Sequence, residues 1–239
     1  MLDILDLADF IGRRRRALAD LGVALEMRRD FERLQALDLP GKTLSPMFAP
    51  RHYDLLDQRA RWICGWMDGE IVHIQAIRLI DTGEASLEDA LRGEFARIFG
   101  PPEPGAAGPI AEALADIRGR VVYHGELWTD ARLRGTGAGE KLGALGVGAA
   151  MAEFDPDYLV GFMEQPLAAR GFFLREGYLH IEPVGSGWRR GAPFLLESDW
   201  IVYAGRADLR KLVRRDAQQN RVMQPASRLE PMASGNTSR

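Results

Sequence analysis

The chain has 239 residues, of which 46% are hydrophobic and 27% charged, with a formal net charge of −3. These values exclude a fibrous, collagenous or wholly disordered chain, and they remove the global electrostatic case for a nucleic-acid partner. The single cysteine, Cys64, rules out an internal disulfide or a cysteine-based metal cluster, so a reducing compartment fits best.

No apolar run reaches the roughly 18 to 20 residues that span a bilayer, and the arginines of MLDILDLADFIGRRRR follow the apolar stretch instead of preceding it. A cytoplasmic protein with no membrane partner is expected. Only three of the 31 basic residues are lysines, a bias that suggests a GC-rich bacterial genome.

In chain order, Ile4, Leu7, Ile11, Leu18 and Leu21 recur at helical spacing, and a second segment through Phe31, Leu34 and Leu37 follows Gly22. Residues 1–45 therefore read as an N-terminal helical extension, with Arg13 to Arg16 on a solvated face. RWICGWM and EIVHIQAIRLI, separated by Asp68-Gly69, read as two antiparallel strands joined by a tight turn. Ser86 is the expected N-cap of a helix through Leu91 and Phe95 to Ile98.

A short helical stretch near Ile110 to Ile117 comes next. Beyond it the order is strand 120–130, glycine-rich turn, helix 138–153, strand 157–163, helix 167–176, strand 178–184 and strand 194–204. Strands alternating with helices imply an α/β or α+β mixed sheet. A short amphipathic helix at 206–215 ends the domain that starts at residue 46, and 216–239 lacks aromatics and periodicity, as a disordered tail would.

The sharpest local feature is Arg134-Gly135-Thr136-Gly137-Ala138-Gly139, set between a strand and a helix. Its glycines let the backbone turn tightly and gather N–H donors at a helix N-terminus, which suits a pyrophosphate. Glu140-Lys141-Leu142 follows, so the Gly-Lys-Ser/Thr ending of a P-loop is missing. The alternative is a purely structural strand-to-helix turn. A dinucleotide-binding reading lacks its acidic residue about 20 positions on, because Asp155 and Asp157 precede or open the next strand.

This motif resembles the signature of the GNAT acyltransferase superfamily, Arg or Gln, two residues, Gly, one residue, Gly or Ala. Ala168-Ala-Arg-Gly-Phe-Phe-Leu-Arg-Glu-Gly177-Tyr178 resembles the family's second signature. The resemblance covers roughly residues 60 to 205. It implies a splayed mixed sheet, an N-acyltransferase activity by direct transfer from an acyl-CoA co-substrate to an amine, acetyl as the default acyl group, and no metal. It places the backbone N–H groups of Arg134, Gly135, Thr136, Gly137, Ala138 and Gly139 on the pyrophosphate, and Leu127, Trp128 and Thr129 on the pantetheine and thioester carbonyl. The tyrosine that often protonates the departing thiolate is replaced by Phe173, for which Tyr178 or Tyr123 could substitute.

An amine acceptor arrives as ammonium and needs a base. His124 and Glu126, on one face of their strand with Trp128 by alternation, and Glu164 at the end of the next strand, are the candidates. Trp188, in the loop 185–191, is the candidate for acceptor specificity. The other histidines show no metal-ligand spacing. Two further readings are a long-chain N-acyl amino acid or acyl-homoserine-lactone synthase-like enzyme, and a non-catalytic acyl-CoA-binding module. A homodimer is compatible with the sequence.

Overall fold

The computed structural model describes residues 3–55, 59–100, 111–184 and 199–223. Helix α1 (Ile4–Ala19) is capped by Asp3, whose carboxylate accepts from the Leu5 N–H at 2.9 Å, and it buries Leu7, Phe10 and Leu18. The expected break at Gly22 is present, but the second helical segment is shorter than expected. Gly22, at φ +79°, turns the chain, and Ala24–Arg28 forms strand β1 along Trp62–Trp66 before the short helix α2 (Phe31–Gln35). The strand partner overrides the local helical spacing, and Glu26 and Arg28 give this edge strand a charged surface.

Strands β2 (Ala60–Met67) and β3 (Glu70–Asp81) pair antiparallel through the expected turn, with Asp68 and Gly69 both at positive φ. Ser86 caps helix α3 (Leu87–Phe99) as expected, accepting from Asp89 N–H at 3.1 Å. Then follow β4 (Arg120–Thr129), α4 (Ala138–Phe154) and β5 (Tyr158–Met163). The helix expected over 167–176 is two, α5 (Gln165–Ala169) and α6 (Phe172–Glu176), because Gly171 adopts φ +65° between them. β6 (His180–Pro183), β7 (Trp200–Gly205) and α7 (Arg206–Met223) complete the described chain.

Helix α7 also corrects the expected tail, since residues 216–223 are helical. Ala217 continues the buried face of Leu209 and Val213, and Asp216 pairs with Arg14 of α1 at 3.0 Å and with Arg13. Two of the four arginines expected on a solvated face therefore join the first helix to the last. With β1 in the sheet and α1 packed on α4 and α7, residues 4–35 build the same layers as the rest of the chain.

The seven strands form one mixed sheet in the order β1-β2-β3-β4-β5-β7-β6, with every pair antiparallel except β4–β5. This is the mixed α/β class expected from the alternation of elements. One face is covered by α1, α4 and α7 around Phe10, Leu142, Val147 and Leu209; the other carries α2, α3 and the 39–55 segment around Phe31, Phe48, Trp62 and Leu91. Among the described residues no helix is long and apolar enough to cross a membrane.

Candidate active site

The parallel pairing of β4 with β5 lasts only from Val121↔Tyr158 to Tyr123↔Val160. Beyond that point β4 stays with β3 while β5 runs with β7, so the two central strands part. Among the described residues, the backbone of β4 from His124 onward has no strand partner on that side, an edge inside a sheet that calls for other hydrogen-bonding partners. The gap holds a cavity of about 400 Å³.

A bulge shapes the β4 wall. Ala76 pairs with Gly125 and Ile74 with Trp128, so Gln75 faces two residues, Glu126 and Leu127, and Glu126 takes φ +57°. The bulge reverses the alternation, so the expectation of one shared face for His124 and Glu126 is corrected. His124 points toward α4, where a Cβ on Gly146 would lie 2.6 Å from its Nε2, whereas Glu126 turns to the opposite layer and meets the 39–48 segment.

Glu126 is 4% exposed and engaged on both oxygens. Ser45 N–H donates to Oε1 at 2.8 Å, the Ser45 hydroxyl donates to the same oxygen, and Lys42 Nζ lies 3.0 Å from Oε2. Trp128 Nε1–H, on the same side, donates to Pro40 O at 3.1 Å. Together they fasten this segment across the β4 end of the gap.

His124 is buried and bonded at both ring nitrogens. Gln75 Nε2 donates to Leu142 O at 2.8 Å, which leaves Gln75 Oε1 to accept from His124 Nε2–H at 2.8 Å, and the Tyr178 hydroxyl then donates to Nδ1 at 2.8 Å. Burial lowers His124 to about 4, so the ring is neutral at physiological pH and positions Tyr178. Glu164, by contrast, is exposed at the cavity rim at the start of α5, with no bond to the helix end and no partner among the described residues.

Leu127 lines the cavity, but Thr129 lies past it, its hydroxyl 3.2 Å from His73 Nδ1. The glycine turn stands next to the cavity. Gly135 and Gly137 adopt φ +75° and +73°, which L side chains resist, and Gly137 is the N-cap of α4. The Thr136 hydroxyl donates to Leu133 O at 2.8 Å and accepts from Ala138 N–H at 3.2 Å, fixing the turn. A helix's first N–H groups have no carbonyl partner within the helix; Ala138 N–H is taken by Thr136, so those from Gly139 onward are left for an anion, with exposed Arg134 beside them. The N–H groups of Arg134 and Thr136, which the resemblance places on the pyrophosphate, instead donate to Ala131 O at 3.0 Å and to Leu133 O at 3.4 Å. Phe172 connects turn to cavity, its ring 3.4 Å from where a Gly139 Cβ would be, and it is Phe172 and not Phe173 that lines the cavity.

Sequence reasoning missed Lys42, Ser45, Gln75 and Glu176. Glu176 closes α6, is 3% exposed, lines the cavity and leaves Oε1 without a hydrogen-bond partner. Burial pushes its carboxyl up to about 8. The available signal was a glutamate one helical turn after Phe172, directly before Gly177-Tyr178. Cys64 is buried, its thiol pushed up to about 12 by burial, which excludes it as a ready nucleophile. Trp188 and the loop 185–191 lie outside the described residues.

No protein-family model matches the chain, and no curated protein sequence matches it. Among solved structures it is similar to Naa50 of Arabidopsis thaliana in complex with a bisubstrate analogue, at 12% identity and TM-score 0.43, covering 77% of this chain and 99% of that one. It is also similar to a GNAT family acetyltransferase from Elizabethkingia anophelis with acetyl-CoA bound, at 10% identity and TM-score 0.40, covering 77% and 98%. A third is FeeM, an N-acyl amino acid synthase from uncultured soil microbes, at 11% identity and TM-score 0.36, covering 86% and 94%. At these values the likeness assigns this chain neither an activity nor a substrate.

Proposed function

We propose that this chain is an acyl-CoA-dependent N-acyltransferase of the GNAT type, with an amine as acceptor. The observation that carries the reading is the parting of the parallel strands β4 and β5 beside a bulge, with the glycine turn and the start of α4 adjoining the gap. A cavity so placed offers unpaired β4 backbone to an extended amide-containing chain and anion-binding N–H groups to a diphosphate.

Direct transfer requires the acceptor to lose a proton, the nitrogen to attack the carbonyl carbon, and the developing oxyanion to be stabilised. Glu164 is the proton acceptor in this reading, since its carboxylate is uncommitted at the cavity rim. Glu126 serves to hold the 39–48 segment, and His124 to hold Tyr178. Backbone N–H groups at the bulge, around Leu127, are the donors to the oxyanion. Acetyl is the first acyl group to try, and the catalytic unit includes the segment before residue 46, whose Lys42 and Ser45 wall the cavity.

The test is thermal unfolding with CoA, acetyl-CoA, a long-chain acyl-CoA and NAD, for the wild type and Gly137→Trp. A ligand that binds the native state alone raises the midpoint by mass action. The expected outcome is stabilisation by CoA species, absent with NAD and lost in the variant. A folded wild type that is not stabilised by saturating CoA refutes the reading and leaves the glycines as a structural turn.

A further inference from the structure

Among the described residues, Glu176 brings into the cavity a buried carboxyl that no cation or hydrogen-bond donor reaches at Oε1. Glu176 Oε1 is buried with no hydrogen-bond partner, and a buried polar group left so costs about 1–3 kcal/mol, which a chain does not ordinarily retain for packing. The helix opposite makes room for it: a Cβ on Gly143 of α4 would lie 2.1 Å from that oxygen. Three glycines along one face of α4 are matched in this way. Gly139 meets Phe172, Gly143 meets Glu176, and Gly146 meets Gln75 and His124. Glu176 thus stands between the anion-binding turn and the buried Gln75–His124–Tyr178 chain, in the same cavity as the bulge.

The groups around it leave its proton in place. From the segment after α6, Tyr178 gives its hydroxyl hydrogen to His124. On β4, His124 is neutral and Glu126 is held by Lys42 and Ser45. On α4, Glu140 faces Arg175 at 3.6 Å and Lys141 Nζ donates to the Gly137 carbonyl at 3.0 Å. Asp199, before β7, and Glu164, after β5, line the same cavity and carry no positive charge toward it. No described cation reaches Glu176 to favour the carboxylate.

We propose that Glu176 is the proton donor to the departing thiolate. This rests on the acyl-CoA reading above. The amine nitrogen bonds to the carbonyl carbon and the carbon–sulfur bond breaks with its electron pair going to sulfur. The Glu176 carboxyl proton passes to that sulfur, and the carboxylate recovers the proton that the nitrogen loses on becoming an amide, the ammonium proton having gone to Glu164 before attack, so that one proton moves from nitrogen to sulfur and one leaves through Glu164.

The experiment compares the affinities of CoA and desulfo-CoA for the wild type, Glu176→Gln and Glu176→Leu by calorimetry, which requires no acceptor. Wild type should prefer CoA by roughly tenfold, a hydrogen bond's worth, and Glu176→Leu should bind both ligands alike. With acetyl-CoA and whichever primary amine is turned over, Glu176→Gln should lose about 10²-fold or more in kcat with little change in KM for the donor; wild-type activity should fall as pH rises through 8, and the variant should lack that fall.

A CoA preference undiminished in Glu176→Leu, or a kcat and pH profile unchanged in Glu176→Gln, overturns the assignment and leaves the acyl-CoA reading standing. A wild type that binds neither ligand overturns both. The leucine variant removes an unsatisfied buried group and should fold at least as well as the wild type.

Discussion

Replacing Glu176 with glutamine should abolish the alkaline side of the protein's pH–stability profile. In the unfolded chain this carboxyl titrates at its ordinary value of 4.5, and in the fold near 8. Between these values the native state holds a proton that the unfolded state has released, so stability is greatest below 4.5 and is lost as pH rises toward 8. Each pH unit is worth about 1.36 kcal/mol. The acid side is set by opposite cases, because burial lowers His124 to about 4 and His73 to about 3 from 6.5. These rings are neutral in the fold and charged in the unfolded chain, so their contribution is present above 6.5 and is lost as pH falls.

Two histidine slopes outweigh one glutamate slope from 4.5 to 6.5, and the glutamate acts alone from 6.5 to 8. The wild type should therefore peak near pH 6.5 and fall by about 2 kcal/mol by pH 8, being 1.5 pH units at about 1.36 kcal/mol each. Urea unfolding followed by tryptophan fluorescence at pH 6.5 and 8 reads this difference. Glu176→Gln should show a flat profile over the same interval, with its acid limb intact. Equal alkaline slopes in wild type and variant would refute the claim that this carboxyl is protonated in the fold.

The remaining expectations concern the walls of the cavity. Gly146→Ala places a Cβ 2.2 Å from Gln75 Oε1 and 2.6 Å from His124 Nε2, so the pair must separate; a loss of about 2–4 kcal/mol in urea unfolding is expected from overpacking and broken hydrogen bonds. Lys42→Ala leaves Glu126, whose side chain is fully buried, with Ser45 alone, and should cost roughly 3 kcal/mol, most of it absent when Glu126→Ala is already present in a double-mutant cycle. Tyr178→Phe removes the donor to His124 Nδ1 and should destabilise by about 1 kcal/mol. A series of acyl-CoAs of increasing chain length in thermal unfolding chooses between acetyl transfer, for which short donors stabilise most, and the long-chain synthase-like alternative, for which stabilisation grows with chain length.

What was legible in the sequence is what local chemistry determines. Asp68-Gly69 announced its turn because both positions need positive φ, Ser86 announced α3 because its side chain satisfies a free N–H, and Gly135 and Gly137 announced a sharp entry into α4. What was not legible depends on partners distant in the chain. Ala24–Arg28 becomes a strand because β2 offers it an edge, and the helical spacing around it is a by-product of apolar residues serving two different elements. The candidate base Glu126 is the sharper case. Its position near the gap followed from the strand, but strict alternation put it beside His124, and only the bulge opposite Gln75 sends it to Lys42 and Ser45, some 80 positions earlier.

Glu176 was hidden for a related reason. A glutamate ending a short helix reads as a solvated charge, and its burial is created by Gly143, a residue on another helix whose missing side chain is visible as a vacancy only once α4 and α6 are packed together. A charged residue in an apolar signature, facing a glycine across an interface, is therefore a three-dimensional signal. Burial in that vacancy is what holds the proton on its carboxyl, and the pH slope of stability gives that burial a measurable form.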